Sequence, residues 1–525
     1  MTAIIRPNLH HTMAESIYEK IQNKSAVYYY YLGKTLTWDD EAEPPLPENN
    51  NSYEMDARNN IITLKQISLN DVAFITRRVD WASGTVFDMY DDTYLNSDPL
   101  EQRNFYVLTE NFNVYKCISN NSGAQSTVEP SGTDVDYFST ADGYVWKFMF
   151  FLPLALRNKF MTASLMPVPK QVKNKYYSAG VIEDYTIVHA GNSYDVDEAY
   201  PVVAGNGTGA DIDITVEDGT ITAITINNGG TGYTNPQLTI MPGNSLEGEG
   251  ADINLILSSP GDLETLQANV ELLTAPRDVS YILVQSSSQG YTAAPAVTIT
   301  GDGTGAVATS VIDSNGQVTD IVLTSRGQNY SYANVSIAAE DLGGGVSATA
   351  SARAIISPIG GHGSNAPREL HADTLSFYAA FEDETNQGVT ISNDYRQFGI
   401  IKDIDKFEEI ERYNSALGSG CFLLEGTLTG ANYSNDSDIH TSGNAKTLRV
   451  VVAEDNKILA QSVDGSLPVV GDTFYNSDDS NNFTITTITN PDVNKFTGEV
   501  LFIDNRSAFT PSDEQIVVFR TFIRF

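Results

Sequence analysis

Nucleophilic or metal chemistry in this chain would have to be built from six histidines, His10, His11, His189, His362, His371 and His440, and two cysteines, Cys117 and Cys421. A zinc hydrolase of the common type needs two histidines four positions apart with a glutamate beside the first. A serine hydrolase needs its serine on a glycine-flanked turn, and a cysteine enzyme needs a thiolate beside a base. None of these spacings occurs in the sequence. The cysteines are far apart and suggest neither a disulfide framework nor a pair of zinc ligands. No catalytic residue, bound metal or cofactor is therefore expected. His362, in "GGHG", stands out because flexible glycines could present it to a partner. The blander alternative, a histidine hydrogen-bonded within a turn, is the one expected.

Two further patterns invite a ligand. "GNGTGADIDI" has the glycines of a phosphate-cradling loop, but such a loop leads into a helix and is followed by a lysine. Here the glycines lead into alternating β sequence, so they read as turns. The same glycines with Asp211 and Asp252 resemble calcium-binding nonapeptide repeats, which recur every nine residues. These recur far more sparsely, and two of the four copies lack the aspartate. Asp88, Asp91 and Asp92 in "DMYDD" read as a solvated acidic turn rather than a cation site.

The elements that would position these residues are mostly short strands. The middle of the chain writes one phrase four times: "YTIVHAGNSYD" at Tyr194, "ITINNGGTGYT" at Tyr233, "YILVQSSSQGYT" at Tyr291 and "IVLTSRGQNYS" at Tyr330. Each is followed by a second phrase: "GTGADIDI", "GEGADINL", "GTGAVATS" or "GGGVSATA". The alternating run should bury one face. The glycines, Gly232 and Gly290 among them, should supply positive φ for a corner, and the tyrosine should fold over it with its hydroxyl reaching backbone. Each copy reads as a corner plus a strand pair, and a lone hairpin of that size buries too little apolar surface. The region therefore reads as two tandem duplicated β units.

Around it the texture is mixed. Thr12 and Glu15 have capping-box spacing and Met13, Ile17 and Ile21 share a helical face, which predicts a short N-terminal helix. "AVYYYYLGKT" reads as a strand, "EAEPPLPENN" as a loop, "SLND" as a short helix, and "FYVLTENFNVYKCI" as a hairpin turning near Glu110 and Asn111. "SPGDLETLQANVELL" alone in the middle region looks helical. The tail is a series of short β runs. The expected fold is mainly β with minor α (α+β), built of sandwich- or barrel-like units. The divisions are an N-terminal α+β domain at 1–180, an inserted β-repeat module at 181–355 and a β-rich C-terminal domain at 356–525.

Sixty-seven acidic residues against thirty-one basic ones give a net charge of −36, with no basic run. Such a surface repels phosphate backbones and anionic membranes, so neither nucleic-acid binding nor membrane insertion is expected. "YVWKFMFFLPLAL" is too short to span a bilayer, and "MTAIIRPNLHHT" lacks the apolar core of a signal peptide. Synthesis and folding in the cytoplasm are expected.

Specific stretches resemble one family. "VYYYYLGKTLTWDDEAEPPLP", "VDWASGTVFDMYDD", "FYVLTENFNVYKCISNNSGAQSTVEPSGTD", "TADGYVWKFMFFLPLALRNKF", "SPIGGHGSNAPREL", "ISNDYRQFGII" and "TGEVLFIDNR" are similar, in this order, to the dimeric baseplate wedge protein of T-even-type contractile-tailed phages. The likeness covers the first and last thirds. The Gly-Tyr region departs from the short members and resembles β repeats of marine-phage structural proteins. The resemblance implies a non-enzymatic homodimer that braces other wedge proteins in the virion tail baseplate, assembled in the host bacterial cytoplasm. The alternative is a tail adhesin whose repeats bind a host surface glycan.

Overall fold

The computed structural model describes residues 7–94, 100–134, 136–170, 181–196, 198–233, 236–243, 248–257, 270, 274–339, 349–381, 393–510 and 517–525. The fold is mainly β with minor α. By contact the chain divides into two compact units, one of 1–75, 158–161 and 372–525, the other of 76–157 and 162–371. The three-part division by composition cuts the chain elsewhere, because texture follows local sequence whereas contacts follow strand pairing.

In the first unit a five-stranded antiparallel sheet runs in the order Leu417–Ser419, Ile61–Gln66, Tyr28–Gly33, Tyr395–Lys402, Glu499–Phe509. Its central strand, "YYYYLG", is buried along its whole length. A short run that is apolar at every position suits a strand covered on both faces. The Thr374–Phe381 strand pairs with residues 72–75 on one side and with Val517–Arg524 on the other. Six more strands between Phe422 and Thr489 close into a barrel. Phe422, Leu424, Leu448, Val450, Ile458, Ala460, Phe483 and Ile485 alternate into its interior.

The N-terminal helix spans Pro7–Gln22, longer than the capping-box pattern predicts. Thr12 lies inside it and its hydroxyl donates to Asn8 O at 2.7 Å, the back-bonding of a mid-helix threonine. The buried face carries His11, Ala14, Tyr18 and Ile21, while Met13 is exposed. Proline suits a first helical turn, and the described part of the helix begins at Pro7. The "SLND" expectation holds as a 3₁₀ turn at Leu69–Asp71, with Ser68 and Asp71 forming a capping box. The helix expected in "SPGDLETLQANVELL" lies outside the described residues, apart from Val270.

The second unit contains a sheet ordered Tyr106–Leu108, Asn113–Ser119, Val145–Phe151, Phe138–Ser139, the first two strands forming the expected hairpin. Twelve of its other strands form two similar modules. In the first, Ile182–Asn192 pairs with Glu249–Leu257, Thr208–Glu217 with Thr220–Thr231, and Tyr200–Ala204 with Gln237–Met241. In the second, Val279–Ser286 pairs with Ser351–Ile356, Thr304–Ile312 with Val318–Gln328, and Val297–Gly301 with Ala333–Ile337. Each module has its own apolar core.

Candidate functional site

Two constructions stand out in the second unit, the first of them built on residues that sequence reasoning singles out. The first is the set of tyrosine corners. Tyr194, Tyr233, Tyr291 and Tyr330 are all buried, with exposures of 6, 5, 3 and 3%. Tyr194 Oη accepts from Ala251 N at 3.3 Å, Tyr291 Oη from Ala350 N at 3.1 Å and Tyr330 Oη from Ala306 N at 3.2 Å. The backbone N–H of each corner tyrosine is also anchored: Tyr194 to Gly219 O, Tyr291 to Gly316 O and Tyr330 to Arg277 O, each at 3.0 Å. Those three acceptor residues have positive φ, the conformation of a tight turn.

The phrase "G-x-G-A" is the seat for the ring. A Cβ added to Gly207 would lie 2.3 Å from the Tyr233 ring, and one on Gly303 would lie 2.4 Å from that of Tyr330. Gly248 stands in the same relation to Tyr194, at 2.6 Å. These approaches leave no room for a side chain, which is why glycine recurs there. Gly232 and Gly290 have φ of +78° and +95°, so at these two positions backbone conformation is what favours glycine.

The partnership runs between copies. The corner of the first copy sits on the seat of the second, and Tyr233 of the second sits on Gly207 of the first. The second module repeats this, with Tyr291 reaching Ala350 and Tyr330 reaching Ala306. A copy is therefore not a corner with its own strand pair, as the spacing suggested. Two copies exchange corners and strands, and neither core is complete without both.

The second construction is a buried charged cluster that sequence reading missed. Lys116 Nζ lies 3.0 Å from Glu369 Oε2, and both side chains are almost wholly shielded from solvent. The Glu369 carboxylate also accepts from Gly363 N at 2.9 and 3.1 Å and Asn365 N at 3.2 Å, pinning the "GGHGSN" loop. Burial pushes the Glu369 carboxyl up, but Lys116 and then His362 outweigh it and hold it at about 2. Burial lowers the Lys116 ammonium against the opposing pull of Glu369. The available signal was a lysine in the middle of an otherwise apolar strand, "NVYKCIS".

His362 is not the hydrogen-bonded turn residue expected. It is 2% exposed, and among the described residues neither ring nitrogen has a hydrogen-bond partner. Nδ1 is 3.7 Å from Glu369 Oε2. The ring is packed edge-on with Tyr90 and Tyr137, with centroids 4.6 and 6.0 Å away. Burial, followed by Lys116, drives its pKa down to about 3, so it is neutral. Nor is "DMYDD" a solvated turn: Arg353 bridges Asp92 Oδ1 at 2.9 Å and Asp91 Oδ2 at 2.5 Å. Arg353 comes from the last strand of the second module, a partner 261 positions from Asp92 that local sequence could not show.

Among the described residues no group of three or more His, Cys, Asp or Glu side chains is arranged to hold a metal ion. Cys117 and Cys421 are buried free thiols whose pKa values burial raises. The chain matches no described protein family and no curated protein.

Proposed function

We propose that the chain is a structural component of a contractile phage tail baseplate wedge, one that dimerises and braces neighbouring wedge proteins during assembly and the rearrangement that triggers contraction. The observation that carries this reading is the ordered resemblance of the segments flanking the repeats. Several of those segments form buried parts of the fold. "DGYVWK" supplies Tyr144 and Trp146, stacked at 5.3 Å in the sheet of the second unit, and "GGHGSNAPREL" supplies Glu369 and the loop it pins. In this reading the protein is no enzyme, is assembled in the host cytoplasm and works in the virion tail.

The corner geometry bears on the adhesin alternative. Tyrosines that serve as sugar platforms need exposed rings, and the four corner tyrosines are buried. Tyr200 and Tyr332, one in each module, are 53 and 55% exposed, and they are the specific observation that favours the glycan reading. Two measurements test the proposal: cross-linking mass spectrometry on virion tails and light scattering on the purified chain. The wedge reading expects cross-links to other baseplate proteins and a dimer. A strict monomer that cross-links to no tail protein and is retained on a host-glycan array through Tyr200 or Tyr332 would replace it with the adhesin reading.

A further inference from the structure

A cleft of about 610 Å³ opens in the first module between the strands Gln237–Met241 and Glu249–Leu257. Gln237, Leu238 and Thr239 line one side, and Asp252, Asn254 and Leu255 the other. The volume lies within the range of small-molecule sites. It marks a difference between the two modules. Ala251 and Ala350 each donate to a corner tyrosine, so Asn254 and Arg353, three positions on, occupy equivalent places. Leu238 and Asn334, each second in its strand, are equivalent as well. In the second module Asn334 pairs with Arg353 and joins four strands into one sheet. In the first, among the described residues, Gln237–Met241 pairs only with Tyr200–Ala204 and Glu249–Leu257 only with Ile182–Asn192, so the same seam stands open.

The lining sets the chemistry of the ligand. Gln237, Thr239, Asp252 and Asn254 are exposed and flank the more deeply set Leu238 and Ile253. Among the described residues none of these four polar side chains has a hydrogen bond or ion pair within the protein. Asp213 and Asp302, elsewhere in the modules, are by contrast taken up by Asn227 and by Ser331. Each open strand edge adds unpaired backbone N–H and C=O groups at every second residue. Amides, a hydroxyl and a carboxylate together offer both donors and acceptors, which an apolar ligand would leave stranded. An anion would meet Asp252 in a chain of net charge −36. Among the described residues no two further His, Cys, Asp or Glu side chains join Asp252 to hold a metal ion. A peptide strand is disfavoured by size. The two walls come within 8 Å of each other, Cα to Cα, whereas a strand inserted between them needs two strand spacings, about 9.6 Å.

We propose that this cleft binds an uncharged oligosaccharide, its hydroxyls bonded by the Gln237 and Asn254 amides, the Thr239 hydroxyl and the Asp252 carboxylate. A sugar hydroxyl both donates and accepts, so it satisfies either kind of group on the walls. The site uses no tyrosine platform and does not rest on the wedge reading. Saccharide binding is measured on the purified chain, whereas the wedge reading stands or falls on tail cross-links and the dimer.

Saturation-transfer NMR and isothermal titration of the full chain test the proposal, with maltotriose, cellotriose, triacetylchitotriose, trigalacturonate and a blocked Val-Thr-Val-Thr-Val peptide as probes. At least one of the three uncharged sugars should bind, and trigalacturonate and the peptide should not. Thr239→Val combined with Asn254→Leu replaces exposed groups, so the fold should persist, as circular dichroism checks, while affinity falls at least about tenfold. Asn334→Leu, at the closed seam of the second module, should leave binding unchanged. No saturation transfer from any uncharged sugar at about 10 mM, weaker than any useful site, overturns the proposal. So does sugar binding unchanged in the folded double variant or equally weakened by Asn334→Leu, since the sugar would then sit elsewhere. Trigalacturonate or the peptide binding as tightly as the best uncharged sugar overturns the ligand class.

Discussion

The Tyr291 hydroxyl accepts the backbone N–H of Ala350 at 3.1 Å, tying the corner that opens the second module to the residue before its last strand, 59 positions on. This bond spans the module from its beginning to its end, so its loss should be felt across the whole module. Tyr291→Phe leaves the ring but orphans a buried N–H, an expected cost of about 1 to 3 kcal/mol. Tyr291→Ala also removes the ring and should cost about 3 to 5 kcal/mol. Hydrogen exchange in the second-module strands reads both. Tyr332→Phe, at an exposed ring, is the control; equal effects at the two positions would mean that the Tyr291 hydroxyl contributes nothing.

Gly316 makes a sharper test of the corner. It turns the hairpin between Thr304–Ile312 and Val318–Gln328 at φ +72°, and a Cβ there would stand 2.2 Å from Tyr291 O. Gly316→Val therefore meets both a disfavoured backbone region and a clash with main chain that has nowhere to go. Gly84 has a similar φ, +85°, with nothing within 4 Å of an added Cβ. Gly84→Val should suffer from conformation alone, about 1 to 3 kcal/mol, and Gly316→Val should suffer more. Thermal unfolding of the two variants side by side settles the order.

The strands of the repeats were legible because alternation in "ITINN" or "ADIDI" follows directly from the two-residue period of a sheet. The exchange between copies was not. Sequential strands usually pair with their neighbours, so a Gly-Tyr phrase and the glycine phrase after it read as one unit. Only the fold shows Tyr194 on the seat that ends at Ala251. The buried cluster was hidden for a different reason. Lys116 and Glu369 are 253 positions apart, and a lone lysine in a strand gives no hint of its partner. Thr12 misled because a helix-interior threonine and a capping one share the same local pattern.

Acid should weaken the second unit in two stages. His362 is neutral down to about 3 when folded but takes up a proton near 6.5 when unfolded. Its contribution is therefore lost as pH falls below 6.5. Glu369, held at about 2 when folded against 4.5 in the open chain, adds a further loss between those values. Each proton contributes a slope of about 1.4 kcal/mol per pH unit. Denaturant midpoints should thus start to drop near pH 6.5, and His362→Phe should flatten the limb above pH 4.5 and make the one below it shallower.

Breaking the Lys116–Glu369 pair differs from removing it. Glu369→Leu leaves a buried ammonium without its partner, which should cost about 3 to 5 kcal/mol. It also removes the acceptor for Gly363 N and Asn365 N. The double variant Lys116→Met with Glu369→Gln keeps part of that loop anchor without a stranded charge, and should recover much of the loss. Chemical denaturation of the two variants and the parent gives the comparison. A double variant as unstable as Glu369→Leu would mean that the pinned loop, not the charge pair, holds this region.

The two modules should differ in what their removal does. In the first, Ile182 is the Cα partner of Leu257, so the ends of the segment lie side by side and a short Gly-Ser linker can replace residues 182–257. The second module also begins and ends on paired strands, Val279 opposite Ile356. It is tied to the rest of its unit by Arg353 on Asp91 and Asp92 and flanked by the Tyr137–Asp278 hydrogen bond. Replacing residues 279–356 strands two carboxylates that lose their cation and opens apolar surface on the neighbouring sheet. Deleting the first module should leave a soluble chain with a cooperative transition close to that of the parent. Deleting the second should give aggregation or a lowered transition. Limited proteolysis and calorimetry distinguish the two, and equal damage from both deletions would show that the modules fold as one body.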